Sequence, residues 1–220
     1  MATIKKRAVN AKQKEQRRQD ILDSARTLFV NTEDYDALLM KHIAENIQLT
    51  KGTLYLYFKT KEEVFLALYT QEFNSRFNAI NELIKKNEDR SIDTFLNIVS
   101  ESIISQNTFL RLNSLLHTVL EQNINAETAL EFKTLLRDRI IDTGEMVESL
   151  LPFLKLGQGA ELLLTMHSLM IGCFHVATPT PCLTEIFQRP DMAFMKLDFE
   201  TEFTKALRLI LLGFESLNSH

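Results

Sequence analysis

Apolar residues along this chain recur mostly at intervals of three and four rather than two, the spacing of helices that bury one face. Ile21, Leu22, Ala25, Leu28 and Phe29 form one such stripe, and Phe203, Leu207, Ile210, Leu211 and Phe214 form another near the far end. A strand-rich fold needs many tight turns, whereas these 220 residues hold 6 Gly and 4 Pro, three of the prolines within residues 178–190. At 45% hydrophobic, the chain can bury one large core, or a small core followed by a larger one. An all-α protein is expected.

The periodicity predicts a first helix over residues 12–30, with Arg17, Arg18 and Arg26 on its exposed face. Turn-forming residues 31–36 end it, and Asp36 is read as the cap of a short helix over 38–46 whose inner face holds Leu39, Met40, Ile43 and Ala44. Thr50 can cap a third short helix that reaches Tyr57, with Leu54 and Phe58 inward and Lys51, Thr53 and Tyr55 outward. A two-turn helix with a basic face is stable only inside a packed three-helix unit. The fourth helix opens on Thr60-Lys-Glu-Glu63, a capping box, and runs to about Lys86. Such a helix spans about 40 Å, enough to leave one module and enter another. Further helices are expected over 91–105, 108–122, 126–151, 158–177 and 199–217, with breaks at Pro152, at Gly157 and Gly159, and across 178–190.

The charge is unevenly shared. Residues 1–18 carry seven Lys or Arg against the single acid Glu15, and residues 1–70 carry a net +3 against −7 for residues 71–220. A basic front on an acidic body suits a small polyanion-binding module attached to a carrier, although a solvated basic tail reads the same way.

The run from Ile43 to Glu62, Ile-Ala-Glu-Asn-Ile-Gln-Leu-Thr-Lys-Gly-Thr-Leu-Tyr-Leu-Tyr-Phe-Lys-Thr-Lys-Glu, resembles the helix-turn-helix of the tetracycline-repressor (TetR) family. The likeness extends back over Ile21 to Phe29 and forward to Val64, about the first third of the chain. It implies a homodimer that binds a near-palindromic operator and releases it when a small molecule enters the C-terminal domain. Carried over by position, Thr50, Lys51, Gly52, Thr53 and Tyr55 fall where base edges or nearby phosphates are met, and Tyr57 and Lys61 where the DNA backbone is contacted. The chemistry agrees: Lys51 can donate to guanine or phosphate, Thr53 offers a methyl and a hydroxyl, and Gly52 lets the helix approach the groove. Two positions depart from the family pattern. Gln48 stands at a turn that usually takes Gly, and Leu38 and Leu39 stand where a hydroxyl residue is usual. The loss of phosphate contacts there would be offset by the basic residues of 5–18, Arg17 and Arg18 among them.

Other constellations carry less. His167, Cys173 and His175 are six, two and eight residues apart, not the three or four that one helical turn brings together, so no metal site is expected. Cys173 and Cys182 are too few for a disulfide framework and read as reduced, buried thiols, and His117 and His167 as core histidines or effector contacts. No catalytic triad, carboxylate pair or phosphate-binding glycine loop is defensible, so neither an enzyme nor a cofactor is expected.

The nearly all-apolar run over 162–174 reads as a helix buried on more than one side, either central to its domain or facing a twin subunit, and the family resemblance implies that the helices over 158–177 and 199–217 form a four-helix dimer interface. An effector pocket would then draw on Phe109, Leu112, Leu116, His117, Leu120, Phe132, Met146, His167 and Phe174. No stretch approaches the length of a membrane span and no signal peptide is evident, which points to the cytoplasm. The expected organisation is a basic arm over 1–18, a helix-turn-helix domain over 12–64, and a helical effector-binding and dimerisation domain over 65–220. The expected function is a DNA-binding regulator, a repressor released from double-stranded operator DNA by a small apolar ligand. The alternative is a helical protein-interaction module or an effector-independent nucleic-acid-binding protein.

Overall fold

The computed structural model describes residues 2–32 and 34–219, and every regular element among them is helical. The order is α1 (Ala2–Val30), α2 (Met40–Asn46), α3 (Lys51–Tyr55), α4 (Lys61–Lys86), α5 (Ile92–Val99), α6 (Asn107–Leu115), α7 (Ala126–Leu150), α8 (Gln158–Ala177), α9 (Pro181–Ile186) and α10 (Phe199–Asn218). α5 and α6 each run on into a widened π turn, closed by bonds from Ser105 N to Ser100 O (3.3 Å) and from Glu121 N to Leu116 O (3.0 Å). The first helix starts ten residues earlier than its apolar stripe indicates, and the stretch read as a break beyond residue 178 holds α9 and a 3-10 turn at Ala193–Met195.

The chain divides into two compact units, one of residues 1–71 with 115–129, the other of 72–114 with 130–220. Successive stretches alternate between them, so the chain passes from one to the other three times. Residues 115–129, which the sequence places in the larger domain, join the first unit. There the Thr60 hydroxyl donates to Asn123 O (3.2 Å) and the Asn125 amide donates to Glu63 (3.4 Å).

Most of the predicted core of the first unit is buried: Ile21, Leu22, Ala25, Phe29, Met40, Ile43, Ala44, Leu54 and Phe58, joined by Val64 and Phe65 of α4, while Leu28 is half-buried. Phe65 takes Phe29 at 5.5 Å and the edge of Tyr35 at 5.1 Å. Buried Ser24 joins α1 to α2, donating to Ile43 O (3.0 Å) and accepting from the Asn46 amide (3.1 Å). At α4 the Glu63 amide donates to the Thr60 hydroxyl (3.1 Å), but the Glu63 carboxylate accepts from Lys59 N (2.7 Å), one residue before the expected donor.

In the second unit α8 and α7 approach closely. A Cβ on Gly159 would lie 2.1 Å from Gly144 O, so only glycine fits that crossing. Glu148 of α7 accepts from Gly157 N (2.8 Å) and Gly159 N (2.9 Å), a carboxylate at the start of α8, whose N-cap Gly157 is left-handed at φ 88°. α10 packs on α8 and α5, with Phe174 against Phe199 at 5.8 Å and Arg208 paired to Asp93.

Three expectations about side chains change. Cys182 is exposed and Cys173 half-buried, rather than both being buried. Burial, and then Glu202, push the Cys173 thiol upward. His117 is exposed and 3.2 Å from Glu121 rather than in a core, because the widened turn carries it outward. Contrary to the sequence expectation, α8 is long and apolar enough by composition to cross a membrane, at mean hydropathy 1.4. Just 22% of its most apolar stretch is buried. Leu162, Leu163, Met166 and Met170 lie in the core, while Leu164 and Val176 are uncovered.

Candidate nucleic-acid interface

The turn between α2 and α3 is tight. Leu49 N donates to Ala44 O (2.8 Å), and Gln48 between them is left-handed at φ 54°, where the sequence marked a glycine-favouring position. Thr50 then caps α3, its hydroxyl accepting from Thr53 N at 3.2 Å and sharing a bond with the Thr53 hydroxyl at 2.8 Å. Leu54 is buried, so Lys51 and Gly52 stand outward, with Thr53 and Tyr55 half-exposed beside them. A Cβ on Gly52 would meet nothing within 4 Å, so the backbone there is open to a close approach. Lys59 Nζ donates to Tyr55 O (3.1 Å), placing a cation at the negative end of α3.

Leu38, Leu39, Met40, Lys41, Lys51, Tyr55 and Lys61 line one concavity of about 280 Å³. Three lysines and no carboxylate line it, a charge balance that suits a phosphate. Lys61 is fixed in place, donating to Tyr35 O (3.0 Å) and lying 3.9 Å over the Tyr35 ring, with further N–H groups left for a ligand. The Tyr35 hydroxyl is buried without a hydrogen-bond partner, and burial, then Glu62 and Asp36, push its titration upward.

The start of α2 differs from the sequence reading. Leu38 is buried, Leu39 is the N-cap and is 46% exposed rather than inward, and Asp36 takes no part in the cap. His42 Nδ1 accepts from Leu39 N (3.3 Å), the reciprocal half of a capping box, while Leu39 offers no side-chain acceptor to the first turn of α2. Lys41 and His42 are the residues that the sequence analysis missed. The absent hydroxyl was visible in the sequence; a side-chain acceptor three residues after position 39 was the signal for the bond to Leu39 N.

The remaining predicted contacts lie apart. Arg17 pairs with Asp20 at 3.3 Å on exposed α1, Arg18 lies 4.6 Å over the Phe58 ring, and Tyr57 is half-buried past the end of α3. The side chains of Lys5, Lys6 and Arg7 fall outside the described residues. The predicted pocket residues are divided between the units: Leu116, His117 and Leu120 belong to the first, and the other six to the second. Phe109, Leu112, Leu116, Leu120 and Phe132 are buried, and Met146, His167 and Phe174 half-buried. None of them lines the open groove of about 600 Å³ along α7. Among the described residues no group of three His, Cys, Asp or Glu is placed to hold a metal.

Residues 21–68 match the family described as bacterial regulatory proteins, tetR family, and residues 70–217 match the tetracyclin repressor-like C-terminal domain. No curated protein matches the chain in sequence. Among solved structures, the fatty acid degradation regulator FadR from Bacillus halodurans superposes with a TM-score of 0.57. That likeness covers 89% of this chain and 94% of that one at 16% identity, which establishes a shared fold.

Proposed function

The chain belongs to the tetR family of bacterial regulatory proteins and is a DNA-binding transcriptional regulator, and from that premise we propose that it is a cytoplasmic repressor released from operator DNA by a small apolar ligand. One observation carries the reading: the open face of α3 adjoins a concavity with three lysines and no carboxylate. Lys51, Gly52, Thr53 and Tyr55 read base edges, while Lys41 and Lys61 hold the flanking phosphate. Two copies, joined through α8 and α10, set two such faces about one DNA turn apart. The uncovered apolar residues of those helices support the pairing.

The ligand enters the second unit, whose phenylalanine- and methionine-rich interior suits an apolar guest. The name of the Bacillus halodurans regulator, which concerns fatty acids, points to the same ligand class. Release needs a ligand that binds the DNA-free arrangement better than the DNA-bound one. α4 contributes residues to both units, and residues 115–129 return to the first, so strain in one has covalent routes to the other.

Binding to the DNA upstream of its own gene, measured at several salt concentrations, tests the DNA-reading claim. Affinity should fall steeply with salt, and Lys51→Ala should weaken operator binding by about 1–3 kcal/mol and random-sequence binding by less. Salt-insensitive binding, or equal losses on both DNAs, would sink it. Medium-chain and long-chain fatty acids should raise the melting temperature of the free protein and lower its operator affinity, and no stabiliser among apolar compounds would count against the ligand.

A further inference from the structure

The chain between α8 and α10 is regular yet unburied. α9 starts at Pro181 behind the N-cap Thr180, with Thr184 N bonded to Thr180 O at 2.9 Å, but none of residues 178–198 is buried. Six residues of helix are not held by propensity alone, so packing must come from elsewhere. The segment exposes Leu183, Ile186, Phe194, Met195 and Leu197, with Phe194 at 80%. A lone soluble chain rarely leaves that much apolar side chain in water.

Its charges do not point to DNA or to an anionic membrane. Arg189 forks onto Asp191 through two bonds of 3.1 Å, leaving Glu185, Lys196 and Asp198. The Asp198 carboxylate, held below its usual range by the Thr201 hydroxyl and amide, remains charged as the α10 cap. The segment is thus weakly acidic overall, which leaves an apolar, near-neutral partner. It is also continuous with α8 and α10, which expose Leu164, Val176, Leu209 and Leu212.

We propose that residues 178–198 form an arm that lies on a second copy of this chain, each protomer's arm extending the α8 and α10 interface, with Phe194 as anchor. The inference rests on the dimer reading above. Two-fold symmetry makes the contact reciprocal, so both arms are covered in one step. Aromatic anchors of this kind carry a large part of interface energy.

The test uses the full-length Cys173→Ser protein, in which Cys182 is the one remaining thiol and sits on α9 one position before Leu183. Maleimide should label Cys182 at least about tenfold more slowly in the dimer than in a monomer obtained by Leu209→Glu or by dilution. Phe194→Glu, at a site exposed in the single chain, should leave helix content unchanged by circular dichroism. It should raise the dimer dissociation constant in sedimentation at least about tenfold. A dimer with fast-labelling Cys182 and an unchanged constant in Phe194→Glu overturns the arm and leaves the dimer standing. A protein that sediments as a monomer at tens of micromolar overturns both. Protection of Cys182 that appears only with phosphatidylcholine vesicles assigns the surface to lipid and overturns the proposal.

Discussion

The two compact units are both helical, yet they expose opposite chemistry. Around α3 the first unit exposes Lys41, Lys51 and Gly52, with half-buried Lys61 lining the same concavity as the two lysines; along α8 and α10 the second exposes Leu164, Val176, Leu209 and Leu212. The means of stabilisation differ too. The short helices α2 and α3 are held by side-chain acceptors, His42 and Thr50, and by the Ser24 bridge. In the second unit the long helices α7 and α8 are held by backbone approach at Gly144 and Gly159. Glycine therefore has two uses in one chain: at Gly159 it permits contact inside the protein, and at Gly52 it leaves the surface clear for another molecule.

The largest expected effect would break that contrast if absent. Gly159→Ala drives a methyl into Gly144 O, 2.1 Å away, and the facing atoms are backbone that cannot turn aside. Overpacking of this kind costs about 2–3 kcal/mol. In a chain of this size that lowers the melting temperature by roughly 5–10 °C. Gly52→Ala meets nothing and should hold or raise the melting temperature while weakening operator binding. Thermal unfolding and DNA titration of the two variants decide it; equal melting temperatures would erase the distinction between the two glycines.

A smaller effect sharpens the account of the first unit. Ser24→Ala removes a buried donor and acceptor together, leaving Ile43 O and the Asn46 amide with one partner fewer. The cost should be about 1–2 kcal/mol. Amide exchange in residues 40–46 should speed up, since Ser24 binds α2 directly. A loss of stability with unchanged exchange there would mean that Ser24 acts through some other contact.

Much of this was legible in the sequence, for reasons that differ between the units. The core of α1, α3 and α4 followed from three- and four-residue spacing, and Thr50 and Thr60 from their place ahead of helices, because those signals lie within a few residues of their effect. Leu39 was misplaced because the helix starts at Met40, which leaves Leu39 as an extended N-cap while Met40, Ile43 and Ala44 keep the inner face. The exposure of His117 was hidden because a π turn adds a residue to the ladder without changing composition. The Gly144–Gly159 crossing depends on two residues fifteen apart meeting through their backbones, which no periodicity reports.

The smallest prediction has the opposite sign. Gln48 holds φ 54° at the turn on which α3 is aimed, and among the described residues its side chain makes no hydrogen bond that would compensate the left-handed backbone there. Gln48→Gly removes a cost of about 1 kcal/mol but gives the unfolded chain more freedom, worth several tenths of that, so the net stabilisation should be about 0.5 kcal/mol or less. Denaturant titration of the variant should show that gain, while operator affinity stays within about threefold because Lys51, Thr53 and Lys61 keep their supports. A destabilised Gly variant would show that the Gln48 side chain holds the turn. A stabilised variant with lost affinity would show that the rigidity of Gln48, more than the lysines it presents, fixes the angle at which α3 meets DNA.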